Sequence, residues 1–239
     1  MELENMLDSG DEYFDTIPSG RFANVYGEDV LHIQSVEHLA WYNQANVLDD
    51  LGLYEEAIAA YQQALKIKPD YQEAWISLGA MLCDQLQDYE EALLCFDQAL
   101  KINYLDDSAW YNRGNALEQL ERYEDAIASY DLALKINPED EAAWYSRGWA
   151  LYELGQYENA IASYDEALKI KPQDDSAWYN KACCYAVQGH VKQAVESLRQ
   201  AISLSPNQYR QMVKTDSDFD EIREDKCFVA LIQEFMLRK

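Results

Sequence analysis

The side chains able to do covalent or metal chemistry are few and poorly spaced for it. The chain holds three histidines, His32, His38 and His190, and five cysteines, Cys83, Cys95, Cys183, Cys184 and Cys227. Cys183 and Cys184 with His190 come nearest to a nucleophile and its base, but they sit six or seven residues apart across a predicted helix turn. A thiol is activated only by a base within hydrogen-bond reach, so this spacing predicts no productive pair. The sequence has no His-Glu-x-x-His, no glycine-rich phosphate loop, no Gly-x-Ser-x-Gly and no calcium loop. No Cys-x-x-Cys occurs either, and each cysteine is expected to be a small apolar residue inside a helix. The expectation is a chain with no catalytic residue, no metal and no cofactor, and so not an enzyme.

Carboxylates are abundant: 44 Asp+Glu against 19 Lys+Arg give a formal net charge of −25. At that excess most of them read as a solvated surface rather than as acid–base pairs. Such a surface repels phosphate, which argues against nucleic acid and anionic membranes as partners. No apolar run approaches the ~18 residues of a membrane span, so no membrane insertion is expected. The N-terminus, Met1-Glu-Leu-Glu-Asn-Met6, is acidic where a secretory signal is basic, and the odd cysteine count argues against a disulfide framework. A cytoplasmic location is therefore expected.

What would position any functional group is a repeat. Trp41, Trp75, Trp110, Trp144 and Trp178 lie 34, 35, 34 and 34 residues apart, and residues 107–140 and 141–174 are identical at 22 of 34 positions. Within 107–140, Trp110, Gly114, Leu117 and Leu120 fall at helical spacing, as do Ala126, Ile127, Tyr130, Ala133 and Leu134. Pro138 then ends the second helix, since proline lacks a backbone donor and disfavours a helical residue before it.

Two helices per unit, with Trp144, Gly148, Leu151, Tyr157, Ala160, Tyr164, Ala167 and Pro172 at fixed places, resemble the tetratricopeptide repeat family, in wording close to its bacterial, even cyanobacterial, members. The resemblance implies an all-α, right-handed superhelical solenoid. Five units match, at 38–71, 72–106, 107–140, 141–174 and 175–208. Residues 1–37 read as a degenerate N-terminal repeat or helical cap, with a mobile acidic arm as the alternative. Residues 209–239, with Phe219, Ile222, Phe228, Leu231, Ile232 and Phe235 among charges, read as capping helices, because an open stack must cover its last apolar face.

Departures from the pattern carry information. The second unit has one extra residue near Leu86 and Tyr104 in place of the usual proline, and Ala45 and Ala182 replace the packing glycine. Position seven is Arg113, Arg147 and Lys181 in the last three units; these are expected to pack along their stems and reach nearby acids.

The resemblance also implies a concave face lined by first-helix positions. Position five places Tyr42, Ile76, Tyr111, Tyr145 and Tyr179 there; position nine adds Asn46, Ala80, Asn115, Trp149 and Cys183. Position twelve adds Asp49, Cys83, Glu118, Tyr152 and Ala186. Tyr42, Asn46, Asp49, Tyr111, Asn115, Glu118, Tyr145, Trp149, Tyr152 and Tyr179 are the candidate partner-binding residues. This lining runs from acidic and amide-rich to aromatic, so the expected partner is a peptide or helix with basic residues at one end and apolar anchors at the other.

Heat-shock co-chaperones of this family clamp a C-terminal carboxylate with a lysine, asparagines and further basic residues. Those places here hold Tyr42, Asn46, Ser77, Ser108 and Asn112, or, from the third unit, Tyr111, Asn115, Ser146, Ser176 and Asn180. Every cation is missing, so no carboxylate-clamp ligand is expected. The function expected is a non-catalytic protein-interaction scaffold or assembly factor. The alternatives are a regulatory subunit docking through its N-terminal segment or cap, and a self-associating structural repeat protein.

Overall fold

A computed structural model describes residues 36–237, all of whose regular elements are helical. The reading of 1–37 falls outside the described residues except for 36 and 37, which begin the first helix. The chain forms two compact units, divided between Ala74 and Trp75.

The first unit contains α1 (residues 36–50), α2 (Tyr54–Ile67) and the start of α3 (Gln72–Met81). The second contains the rest of α3, its π-helical extension Leu82–Leu86, and α4 (Tyr89–Ile102). Three pairs follow: α5 (Asp107–Gln119) with α6 (Tyr123–Ile136), α7 (Glu141–Glu153) with α8 (Tyr157–Ile170), and α9 (Asp175–Val187) with α10 (Val191–Leu204). The chain closes with α11 (Pro206–Thr215), a 3-10 turn Ser217–Ile222 and α12 (Lys226–Leu237). From α4 to α10 each helix packs on its sequence neighbours, giving this unit an all-α solenoid architecture.

Local chemistry sets each boundary. Asp106, Asp140 and Asp174 cap α5, α7 and α9 by accepting the N–H of Ala109, Ala143 and Ala177 at 2.8, 3.1 and 2.8 Å. Between the helices of a pair the backbone turns through a left-handed residue: Gly52, Glu121, Gly155 or Gly189. The N–H after it closes onto the carbonyl five residues back, as in Gln156 to Leu151 at 2.9 Å, which is the Schellman arrangement. The extra residue of the second unit is absorbed as the π-helical turn, and Gln87 takes the left-handed place with φ 55°.

Tryptophans fasten α5, α7 and α9 to the turns before them. The indole N–H of Trp144 donates to the carbonyl of Pro138 at 2.9 Å, that of Trp178 to Pro172 at 3.1 Å, and that of Trp110 to Tyr104 at 2.9 Å. The bond requires a carbonyl rather than a pyrrolidine ring, which is why Tyr104 serves in place of proline.

Inside each pair the two backbones approach through one small residue. A Cβ added to Gly114 or Gly148 would lie 2.5 Å from the Tyr130 ring or 2.7 Å from the Tyr164 ring, and one on Gly79 would lie 2.7 Å from Phe96. All three rings are fully buried. Where the first-helix residue is Ala182, the facing residue is the smaller Leu198, which makes room for its methyl group.

Consecutive pairs are tied through position seven. Arg147 Nε donates to Asp131 of the preceding pair at 2.6 Å, its NH1 reaches Ser163 Oγ at 2.7 Å, and its guanidinium lies 5.8 Å from the Trp144 ring centroid. Arg113 repeats the set with Asp97, Ser129 and Trp110, and Lys181 pairs with Asp165 over Trp178. These cations hold the stack together rather than facing a ligand.

The end of the stack is covered more thoroughly than a helix pair would cover it. Tyr209, Val213, Phe219, Ile222, Phe228, Leu231 and Phe235 form one core with Leu198 and Ile202 of α10 and with Tyr179 and Cys183 of α9. Arg223 donates to the carbonyls of Val213, Lys214 and Asp216 at the C-terminus of α11, neutralising that helix end.

Gly148→Ala should destabilise the fold by about 1–3 kcal/mol, the range for overpacking a filled core, and Tyr164→Leu in the same chain should recover most of that loss. Urea unfolding of both variants measures it; a single variant as stable as the wild type would contradict the packing argument.

Candidate partner-binding site

The predicted lining residues divide into two groups once their contacts are followed. Tyr42 and Asn46 stand on α1 with Asp49 beyond them, in the first unit. The Tyr61 hydroxyl donates to Asn46 Oδ1 at 2.6 Å, and the Tyr42 ring packs 6.0 Å from Tyr61 and 5.1 Å from Tyr71. In the second unit the Tyr130 hydroxyl is shared between Asn115 Oδ1 at 2.8 Å and Glu118 Oε2 at 3.0 Å, and Tyr111 packs 5.9 Å from Tyr130. Asn46, Asn115 and Glu118 thus serve the ring at the centre of their own helix pair. Their amides and carboxylate satisfy a buried hydroxyl, a group that is costly to leave unpaired.

The sequence held a signal for this. Asparagine at position nine accompanies Tyr61 and Tyr130, whose hydroxyls need an acceptor. Ala80 accompanies Phe96, and Cys183 accompanies Leu198, which need none. One pair breaks the rule: α7 has Trp149 where Tyr164 requires an acceptor. The Tyr164 hydroxyl is buried with no acceptor for its proton; the Asn180 side chain, which lies on it as a donor, also gives its amide to the Tyr145 hydroxyl at 3.0 Å.

Trp149 instead faces a cleft of about 450 Å³ between α7, α9 and the C-terminal segment. Tyr145, Trp149, Tyr152 and Glu153 of α7 form one wall; Tyr209 and Met212 of α11, with Asp216 and Asp218, form the other. The Trp149 and Tyr152 rings stack at 5.6 Å with 19° between their planes.

Tyr179 also lines the cleft but is almost wholly buried, 4% exposed, stacked on Tyr209 at 4.6 Å and edge-on to Phe219 at 5.8 Å. Cys183 and Ala186 are buried in the same core. The segment after residue 208 folds over this part of the concave face and replaces the apolar lining with its own acids. The Tyr152 hydroxyl donates to Asp218 Oδ2 at 2.5 Å, and that of Tyr179 to Asp216 Oδ2 at 2.6 Å. In this unit aromatic rings and carboxylates share one cleft.

Burial, and the charges of Asp218 and Asp216, raise the Cys183 thiol far above its ordinary value; its S–H donates to Asp218. Burial pushes Cys184 up to about 12, and His190 lies with its ring 6.2 Å from Tyr185 at the start of α10. Cys183, Asp216 and Asp218 offer ligand atoms within 4.8 Å of one another, a donor set whose members already accept or donate hydrogen bonds among themselves.

The carboxylates beside the cleft repel one another. Glu118 is raised above its ordinary 4.5 by burial, an effect the Tyr130 hydrogen bond partly offsets and Glu153 adds to. Glu153 is raised likewise by desolvation and by the charges of Asp218 and Glu121.

Family models for the tetratricopeptide repeat match residues 38–71, 80–141, 141–174 and 176–208, together well over half of the chain. The chain belongs to the tetratricopeptide repeat family. Among solved structures it is similar to the MamA protein, with a TM-score of 0.69 and 21% identity over 76% of this chain and 97% of that one. MamA 41-end from Desulfovibrio magneticus RS-1 aligns with a TM-score of 0.67 and 22% identity over 72% and 96% of the two chains. YrrB, described as a TPR protein with an unusual peptide-binding site, aligns at 0.65 with 25% identity over 75% and 93%. A comparison with curated protein sequences finds no match. Among the described residues, no helix is long and apolar enough to cross a membrane.

A carboxylate raised in the folded state holds its proton there at a pH where the unfolded chain has lost it. Its favourable contribution is complete below the unfolded value and disappears as pH rises through the folded one. Glu118 and Glu153 both act in this direction, and relief of the net negative charge acts with them. The melting temperature should therefore rise as pH falls from 7 toward the carboxylate range just above 4.5. Scanning calorimetry across that interval measures it; a fall in melting temperature would contradict the assignment.

Proposed function

We propose that this chain is a non-catalytic scaffold or assembly factor that binds a protein partner through the concave face of its repeats, with the cleft around Trp149 as the principal contact. The observation that carries the reading is the broken rule at Trp149. A repeat with asparagine there would satisfy Tyr164, yet this pair carries a half-buried indole and a buried hydroxyl whose proton has no acceptor, a cost of about 1–3 kcal/mol. Sites where a sequence gives up local consistency are characteristically functional ones. Tryptophan and tyrosine are also the residues most often found to anchor partners, because they bury large rigid area with little entropy to lose.

The family and its fold support a protein-binding role, and the similarity to a peptide-binding repeat protein, YrrB, adds to it. Charge supports a basic partner. Glu118, Glu121 and Asp218 each interact with Glu153 across this face, and a cationic partner would relieve that repulsion.

Trp149→Asn separates function from stability. It gives Tyr164 its acceptor, so the variant should be more stable, by about 1 kcal/mol in urea unfolding. It should also lose at least tenfold in retention of a native-lysate partner that the wild type holds and releases with rising salt. A partner held equally by both proteins would move the contact to the cap or to the N-terminal segment.

A further inference from the structure

The repeats use one chemical set three times to hold a cation of their own chain, an arginine twice and Lys181, with Trp178 and Asp165, once. The Arg113 guanidinium lies 5.7 Å from the Trp110 ring centroid and pairs with Asp97 at 2.8 Å; that of Arg147 lies 5.8 Å from Trp144 and pairs with Asp131 at 2.6 Å. Each site is an indole face with a carboxylate beside it. A planar guanidinium suits this better than an ammonium, because it stacks on the ring while its N–H groups remain free to donate.

The cleft between α7, α9 and the C-terminal segment presents the same set without the cation. Its indole is Trp149, backed by the stacked Tyr152 ring, and its carboxylates are Asp216, Asp218 and Glu153. Among the described residues, no lysine or arginine lines it. A carboxylate has about four lone-pair sites. Asp216 accepts from the Tyr179 hydroxyl and the Asp218 N–H, and Asp218 accepts from Tyr152 and the Cys183 thiol. All of these donors are neutral. They fix the two carboxylates in place, leave acceptor capacity on both, and compensate neither charge. The cleft's ~450 Å³ is ample for one long side chain, and Met212, 43% exposed, offers a flexible apolar edge for its methylenes.

We infer that this cleft is a specificity pocket for one arginine side chain of the partner, its guanidinium stacked on Trp149 and paired with Asp216, Asp218 and Glu153. The inference rests on the reading of this face as the partner site and adds the residue it selects. It also gives the C-terminal segment a second role: besides closing the stack, it delivers two of the three acids.

The test is an octapeptide array in which each spot fixes one residue at a central position and randomises the rest, probed with the full chain. Wild type should bind fixed-arginine spots at least tenfold more strongly than fixed-norleucine spots and several-fold more strongly than fixed-lysine spots. Asp216→Asn/Asp218→Asn should abolish the arginine preference, since the amides can still accept from Tyr152 and Tyr179 but carry no charge. Circular dichroism melting verifies that this variant stays folded; should it unfold, the exposed Glu153→Gln serves in its place and should reduce the preference at least threefold. Binding that favours apolar residues with no preference for arginine would overturn the pocket while leaving the groove reading standing. An arginine preference that survives the charge-removing variants would also overturn it. An array with no spot bound would overturn both.

Discussion

The close approach of two helices through one small residue is the constraint from which the rest of this molecule follows. At Gly79, Gly114 and Gly148 there is no space for a methyl group, because the aromatic ring of the partner helix already occupies it. That contact fixes which face of each helix is inside, and so which residues lie along the opposite, concave edge. It also drives a tyrosine hydroxyl into the interior, where it must find an acceptor. The asparagines at position nine answer that demand in two helix pairs. Phenylalanine or leucine removes the demand in two others. Among the described residues, only the pair of α7 and α8 leaves it unanswered, and there the chain places Trp149 against a cleft.

Much of this was legible in the sequence. The tryptophan spacing, the glycine and alanine positions and the terminal prolines describe a structure in which each contact is local or reaches only into the next repeat. A periodic pattern therefore encodes nearly all of it. The inserted residue near Leu86 was visible as an insertion, though its accommodation as a π-helical turn depends on backbone geometry that residue types do not specify. The arginines of position seven also behaved as side chains of their length and charge should beside acids one repeat away.

The candidate site was less legible, for two physical reasons. Residues assigned to the concave lining by position were read one at a time, whereas Asn46 and Asn115 make sense only beside Tyr61 and Tyr130. The second reason is distance along the chain. Tyr152 meets Asp218 across 66 residues and Tyr179 meets Asp216 across 37, both contacts beyond the point where the repeat ends. Once periodicity stops, apolar residues such as Phe219 and Phe228 can announce that a segment covers something. They cannot announce which carboxylates it will carry into which cleft. The burial of Tyr179 and the convergence of rings with acids both come from that fold-back.

The central claim is that the partner contacts the cleft walled by α7 and the C-terminal segment. Its most direct test is site-specific photocrosslinking, with benzoylphenylalanine placed at Met212 on the cleft wall or at Leu94, 56% exposed on α4 and outside the cleft. The account predicts a partner adduct from position 212 that an excess of arginine-containing competitor peptide suppresses, and none from position 94. Adducts from position 94 alone would contradict it.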